Sequence, residues 1–408
     1  MLYTSALRRL GHVTQVVSPT EGIVFHNRLT HTHEVAQIGR RIAERLILNE
    51  EGLRRAKRLG GIDPDVVETA ALVHDLGHPP YGHAVEQELN RLVSIVHGVH
   101  DGYEGNAQSF RIVAKLAMRS PRVPGLNLTR ASLNATLKYP WLRSEKEGTP
   151  ENKKWGAYAS ELEEFEWARN AHRGRKDKPG VEAQIMDWAD DVAYAVHDVD
   201  DFYRAGLVPL DRLSNRDDHE VNRFSQYTAA KLDKDEEEVK EVLRTVVGAS
   251  PIVEPYFGTD DQRQQLRTFT AGLIGTYSSA IRLADDPEWH PVVEVPPYLR
   301  TQVDILKQLT WFYVIDNRAL KTQQHGQRRV VRELFKIYLD ASVSDDADAR
   351  GVLPTSQQEQ LELLADETIE DGRVRIVADL ISSMTEQQMM VTHRKLTGVE
   401  LGSITDLI

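Results

Sequence analysis

Residues 70–86 read AALVHDLGHPPYGHAVE, and this stretch decides the fold. The apolar run Ala70, Ala71, Leu72 and Val73 predicts the end of a buried helix that delivers His74 and Asp75 side by side. Gly77 and the Pro79–Pro80 pair then break the helix, because proline has no amide hydrogen and its ring clashes with the preceding turn. A second helical start sets His83 and Glu86 three residues apart on one face. A His–Asp dipeptide by itself is more often an ion pair or a helix end than a metal site. Here it follows a run apolar enough to be buried, and burying such groups costs on the order of several kcal/mol unless they are paired or bound to a metal. His74, His78 and His83 with Asp75 and Glu86 around one turn are hard to explain as surface decoration.

Upstream, the pattern turns helical from Thr30, with Val35, Ile38, Ile42 and Leu46 at helical spacing. His31 extends that apolar face, whereas His33, roughly 200° further round a 3.6-residue turn, points away. Alone, His31 would be read as a core histidine. Downstream, in VEAQIMDWADDVAYAVHDVDDFYRAG, the residues Ile185, Ala189, Val192, Val196, Val199 and Tyr203 form one apolar stripe. Asp190, Tyr194 and Asp198 follow at four-residue steps on an adjacent stripe and line one wall. Seven carboxylates fall between Glu182 and Asp201. Acids that border a buried stripe beside an aromatic are better placed to hold a cation and a sugar ring than those facing solvent.

The chain has 408 residues, 40% hydrophobic and 27% charged, as expected of a globular protein with a sizeable core. It contains no cysteine, which removes thiolate metal sites, disulfides and cysteine nucleophiles. No run approaches the roughly 20 apolar residues of a membrane span, and the first residues lack a signal-peptide core, so a cytoplasmic protein with no membrane partner is expected. A net charge of −12 argues against a protein that coats nucleic acid. Attraction of a polyanionic substrate must then come from a local cationic cluster and a metal ion.

Elsewhere the sequence predicts a small hairpin at residues 13–17 and 23–25, the one convincing strand signal. The strongly charged segment 211–250 reads most simply as exposed helix, and residues 368–396 as a helix pair. The expected fold is all-α. Residues 1–210 make the core that carries the site, and residues 211–408 a helical C-terminal part packed on it as one unit.

NRLTHTHEVAQIGR, ALVHDLGHPPYGHAVE, GYEGNAQSFR, LKYPW and DWADDVAY, in that order, resemble the HD-domain superfamily. Within it they resemble the bacterial deoxyguanosinetriphosphate triphosphohydrolase-like proteins over nearly the whole chain. The resemblance implies metal ligands at His31, His74, Asp75 and Asp190, a catalytic His83 and its partner Glu86. It implies triphosphate contacts at Arg28, Lys138, Tyr139 and Lys154, a sugar contact at Tyr194, 3′-hydroxyl contacts at Gln15 and Asp198, and Glu104 and Asn106 near the site. It further implies a divalent metal (Mn²⁺, Mg²⁺, Fe²⁺ or Zn²⁺), a dNTP substrate with dGTP foremost, and a homo-oligomer, often a hexamer. Nucleic acid is not required, with room left for an effect of single-stranded DNA. His33 departs from the pattern, since relatives more often carry an aliphatic residue there.

Two other functions compete. One is an HD phosphohydrolase acting on mono- or cyclic nucleotides, which would need neither LKYP nor GYEGNAQ. The other is a non-catalytic HD nucleotide sensor, which would need neither His83 nor Glu86. The chain carries all of these.

Overall fold

The computed structural model describes residues 1–400, apart from 17–25, 147, 171, 173–174, 216–217, 249, 287–288 and 365–368. Most of the described chain is helical. Its two-stranded sheet pairs Arg282–Leu283 with Val293–Glu294 in antiparallel register, a pairing too short to leave a pattern in the sequence. Most of the hairpin expected at 13–25 lies outside the described residues, and a single antiparallel bridge joins Thr14 to Asn27 at its base.

Three helices build the floor of the site. Arg28–Leu46 opens on a capping box, in which the Asn27 side chain accepts the Thr30 amide and Thr30 Oγ1 accepts the Asn27 amide. Pro64–Val73 starts from an Asp63 cap with proline in the first turn, where no amide partner is needed. It packs along the first helix, and Gly39 keeps the two close: a Cβ there would stand 3.0 Å from Val67 Cγ1. The third, Val181–Arg204, lies against both and also against Pro297–Thr310. Their apolar faces form one core running from Leu7 to Val314, with Val35, Val67, Ala70, Ile185 and Val192 fully buried.

The charged 211–250 segment is not one exposed helix. It is divided into Leu210–Ser214, Asp218–Leu232 and Glu236–Gly248, and Val221, Phe224, Val239, Leu243 and Val247 bury a face of them. The acidic run 233–238, which falls in the connection to and first turn of the third of these helices, masked their period.

A second apolar cluster joins Val85, Leu89 and Tyr103 to Leu334, Phe335, Tyr338, Val377 and Ile381. The C-terminal helices therefore pack directly behind the turn at 74–83. Arg9, buried, donates to the carbonyls of Leu76, His78 and Met384. Glu386 Oε1 accepts the amides of Thr14 and Tyr81. Tyr81 holds φ +64°, unusual for a bulky residue, and Gly82 follows at φ +59°. These anchors fix a turn that sequence alone does not.

Candidate metal centre and catalytic pair

The helix Pro64–Val73 ends with His74 as its C-cap, and its Nδ1–H donates to the Ala71 carbonyl at 2.6 Å. That bond fixes the tautomer and turns a bare Nε2 into the site. There Nε2 lies 3.7 Å from Asp190 Oδ1 and 3.5 Å from Asp75 Oδ1. It is buried and makes no hydrogen bond. His31 Nε2 lies 3.0 Å from the same Asp190 oxygen. His31, His74 and Asp190 each offer a ligand atom, and these atoms lie within 4.8 Å of one another. His31 is 3% exposed, whereas His33 faces solvent on the opposite side of the helix.

Asp75 stands beside this trio. Its Oδ2 pairs with Arg28 Nη1 at 2.9 Å and its Oδ1 lies 3.1 Å from His78 Nδ1. Burial pushes its carboxyl up, but Arg28 and the surrounding histidines outweigh that and hold it far below the usual range. Asp190 is likewise held down, against its burial, by Lys138 and His31. Asp191 points elsewhere, to Lys307 at 2.7 Å. An orphaned buried imidazole nitrogen among carboxylates held in their charged form suits a divalent ion, and a mixed N/O set suits Mn²⁺, Fe²⁺, Zn²⁺ or Mg²⁺.

His78 links this centre to a second group. Burial, with Arg28 nearby, lowers its pKa to about 3, so it is neutral. Its ring meets His83 edge-on at 5.4 Å. His83 Nδ1 donates to Glu86 Oε2 at 2.7 Å while the His83 side chain remains 66% exposed. Glu86 is buried beneath it, and its Oε1 accepts the Gly105 amide at 3.0 Å and Lys154 Nζ at 3.2 Å. Burial opposes its charge, yet the His83 bond and Lys154 keep the carboxyl well below its ordinary value. Lys154 also reaches Glu104 Oε1 at 2.8 Å, where Asn106 Nδ2 donates as well. The other oxygen of Glu104 caps the helix Gly105–Arg111.

The remaining residues singled out from sequence are spread round this pair of centres. Arg28 Nε donates to the Thr14 carbonyl. Lys138 bridges Asp187 at 2.5 Å and Asp190 at 3.4 Å. Tyr139 is half-buried beside it and meets Trp141 edge-on. Tyr194 is one turn along from Asp190 and hydrogen-bonds Asp198, whose carboxyl burial and Asp201 push well above its normal value. Gln15 follows the strand-like Thr14, and its Oε1 is buried without a hydrogen bond.

The sequence reading gave no role to Glu386, nor to the network in which Asp379 accepts Arg111 Nη2 at 2.8 Å and Gln108 Nε2 at 2.7 Å. These pairings span between 268 and 372 residues, and no local pattern announces them.

Residues 28–195 match the HD domain, and residues 293–395 match a phosphohydrolase-associated domain. The chain is 36% identical to a deoxyguanosinetriphosphate triphosphohydrolase-like protein of Corynebacterium efficiens, over 98% of this chain and 90% of that one. A protein of the same description from Streptomyces coelicolor is 34% identical over 98% and 91%, and one from Caulobacter vibrioides 32% identical over 97% and 88%.

Proposed function

The chain belongs to the deoxyguanosinetriphosphate triphosphohydrolase-like family of HD-domain phosphohydrolases, and from that premise we propose that it hydrolyses a dNTP, dGTP foremost, to the deoxynucleoside and inorganic triphosphate. The metal ligands in this reading are His31, His74, Asp75 and Asp190. The observation that carries it is the approach of His31, His74 and Asp190 within 4.8 Å, beside the His83–Glu86 bond of 2.7 Å. When bound, the divalent ion supplies charge neutralisation for phosphate and a more acidic water.

His83 is the proton carrier. Glu86 accepts its Nδ1–H, so the exposed Nε2 is the atom that exchanges a proton with substrate. Water adds to the α-phosphorus, the bond to the 5′-oxygen breaks, and His83 Nε2 protonates that oxygen as it leaves. The proton lost by the water restores the imidazolium. Arg28, Lys138 and Lys154 are cations already held by carboxylates, and with Tyr139 they take up the triphosphate. Tyr194 packs under the sugar and leaves no room for a 2′-hydroxyl. Gln15 and Asp198 hold the 3′-hydroxyl, Asp198 as an un-ionised acid able to donate. Glu104 and Asn106 position Lys154.

The test is product analysis after incubation with dGTP and Mn²⁺. Deoxyguanosine and intact triphosphate in equal amounts are expected. Orthophosphate as the only inorganic product, or activity confined to 5′-deoxynucleoside monophosphates, would reject this reading.

A further inference from the structure

Further along the two helices that carry His31 and Asp190 lies another convergence of ligand atoms, and we infer that His26, Glu34 and His197 form a second divalent transition-metal site. Glu34 is three residues from His31 on the helix Arg28–Leu46, and His197 seven residues from Asp190 on Val181–Arg204. No residue is shared between the two groups.

The geometry is that of a built site. His26 Nε2 lies 3.0 Å from Glu34 Oε1, and His197 Nδ1 lies 2.6 Å from Glu34 Oε2. The three ligand atoms fall within 4.8 Å of one another. The two rings stack at 5.1 Å with 20° between their planes, so both nitrogens approach one carboxylate from the same side of the helix pair. Behind His26, its Nδ1 lies 2.8 Å from Asp201 Oδ2, and the same oxygen accepts the His26 amide at 2.6 Å. A carboxylate behind the far ring nitrogen is the arrangement that orients a metal-ligating histidine and raises its basicity. Asp200 is answered by Arg204 and Asp198 is held un-ionised, so the negative charge that faces the two imidazoles comes from Glu34 and Asp201. The ligand side chains are between 14% and 27% exposed, which gives an ion a way in.

Two imidazoles with one carboxylate select Zn²⁺, Co²⁺, Ni²⁺ or Mn²⁺ over the oxygen-seeking Mg²⁺ and Ca²⁺. The ion accepts lone pairs from His26 Nε2, His197 Nδ1 and a Glu34 oxygen; the proton that His26 shares with Glu34 passes to solvent, and the one between His197 Nδ1 and Glu34 moves to His197 Nε2 or to solvent. Occupancy fastens the chain ahead of one ligand-bearing helix to the other. It thereby holds His31 and Asp190 in register.

Equilibrium dialysis of the chelator-stripped full chain against Zn²⁺, followed by metal analysis, tests this. The expected content is two ions per chain, falling to one in the His74→Ala/Asp190→Asn protein and to none when Glu34→Gln is added. His197→Ala in the same background gives the same loss, and circular dichroism checks that each variant is folded. In the His74→Ala/Asp190→Asn protein, Co²⁺ gives a visible spectrum that Glu34→Gln abolishes. A Zn²⁺ content of zero in the His74→Ala/Asp190→Asn protein would overturn the site and leave an ion-pair network alone. An ion retained after both Glu34→Gln and His197→Ala would overturn the assignment of its ligands.

Discussion

Nε2 of His31 and Oδ1 of Asp190 stand 3.0 Å apart across 159 residues of chain, and the same oxygen is 3.7 Å from Nε2 of His74. Asp190 is thus where three helices meet through polar atoms. Replacing Asp190 with Asn keeps the shape and removes the charge, leaving Lys138 with Asp187 alone. Metal affinity is expected to fall by more than the roughly 10–100-fold that loss of an outer hydrogen-bond partner costs, with dGTP turnover falling alongside. Calorimetric titration with Mn²⁺ measures the first directly. An unchanged dissociation constant removes Asp190 from the ligand set.

His83→Ala takes away the group proposed to protonate the leaving oxygen but no metal ligand. The expected result is a kcat lower by about 10²–10⁴-fold with KM and Mn²⁺ affinity nearly unchanged. Glu86→Gln keeps a bond to His83 while removing the charge that Lys154 answers, so its loss in kcat is smaller. Turnover in His83→Ala equal to the parent would strip His83 of its role.

How much of this was readable from residues alone depends on the range of the force involved. The choice of His31 over His33 followed from helical periodicity, because burial of an apolar stripe is a local and repeating demand. The break at Gly77 and Pro79–Pro80 followed from backbone sterics. The helices within 211–250 were hidden, since the run 233–238 ahead of Val239 and the charged residues Lys240, Glu241 and Arg244 dilute the apolar stripe of Val239, Leu243 and Val246. The contact of Arg9 with Met384 and those of Glu386 and Asp379 were invisible for another reason: each joins segments hundreds of residues apart, and a single sequence carries no record of such distances.

Gly77 sits where the turn after His74 crosses the helix Gly105–Arg111. A Cβ there would lie 2.2 Å from the Gly105 carbonyl oxygen and 2.3 Å from the Ser109 amide nitrogen, both backbone atoms with nowhere to go. Gly77→Ala must push these segments apart, and with them the Ser109 Oγ–His74 carbonyl bond of 3.1 Å. A stability loss of about 3 kcal/mol or more is expected, together with weakened metal binding. Urea unfolding checks it, and a variant as stable as the parent contradicts the packing.

Asp379 on the C-terminal helix Ile369–Ser383 receives Arg111, which is 12% exposed and also bonded to Glu161. Asp379→Ala leaves that guanidinium half-compensated and the Gln108 amide without its acceptor. Breaking one side of such a buried pair costs about 3–5 kcal/mol, and the surviving Glu161 places this case at the low end. Denaturant unfolding of the full chain should show that loss. A change under about 0.5 kcal/mol, the level of ordinary surface substitutions, would mean the C-terminal helix is held by its apolar face alone.

The group formed by His26, Glu34 and Asp201 contributes its own pH dependence to the stability of the metal-free protein. Burial opposes charging of His26, but its bonds to Asp201 and Glu34 prevail and raise its pKa from 6.5 to about 10. The folded chain therefore holds that proton more tightly than the unfolded one, and the resulting stability is complete below pH 6.5 and fades as pH climbs to about 10. For Glu34, burial is likewise outweighed by His197 and His26, and the pKa drops from 4.5 to about 2. Its contribution is complete above pH 4.5 and is lost as pH falls through about 2. Both are fully present only between those two ordinary values, near pH 5–6. His26→Ala is thus expected to cost about 1.5–3 kcal/mol there, the usual worth of hydrogen bonds to charged groups, and progressively less toward pH 10. Thermal unfolding of parent and variant in chelator, run from pH 5 to pH 10, gives the difference curve. A difference that stays flat or grows with pH would show that His26 is not held as a cation between the two carboxylates.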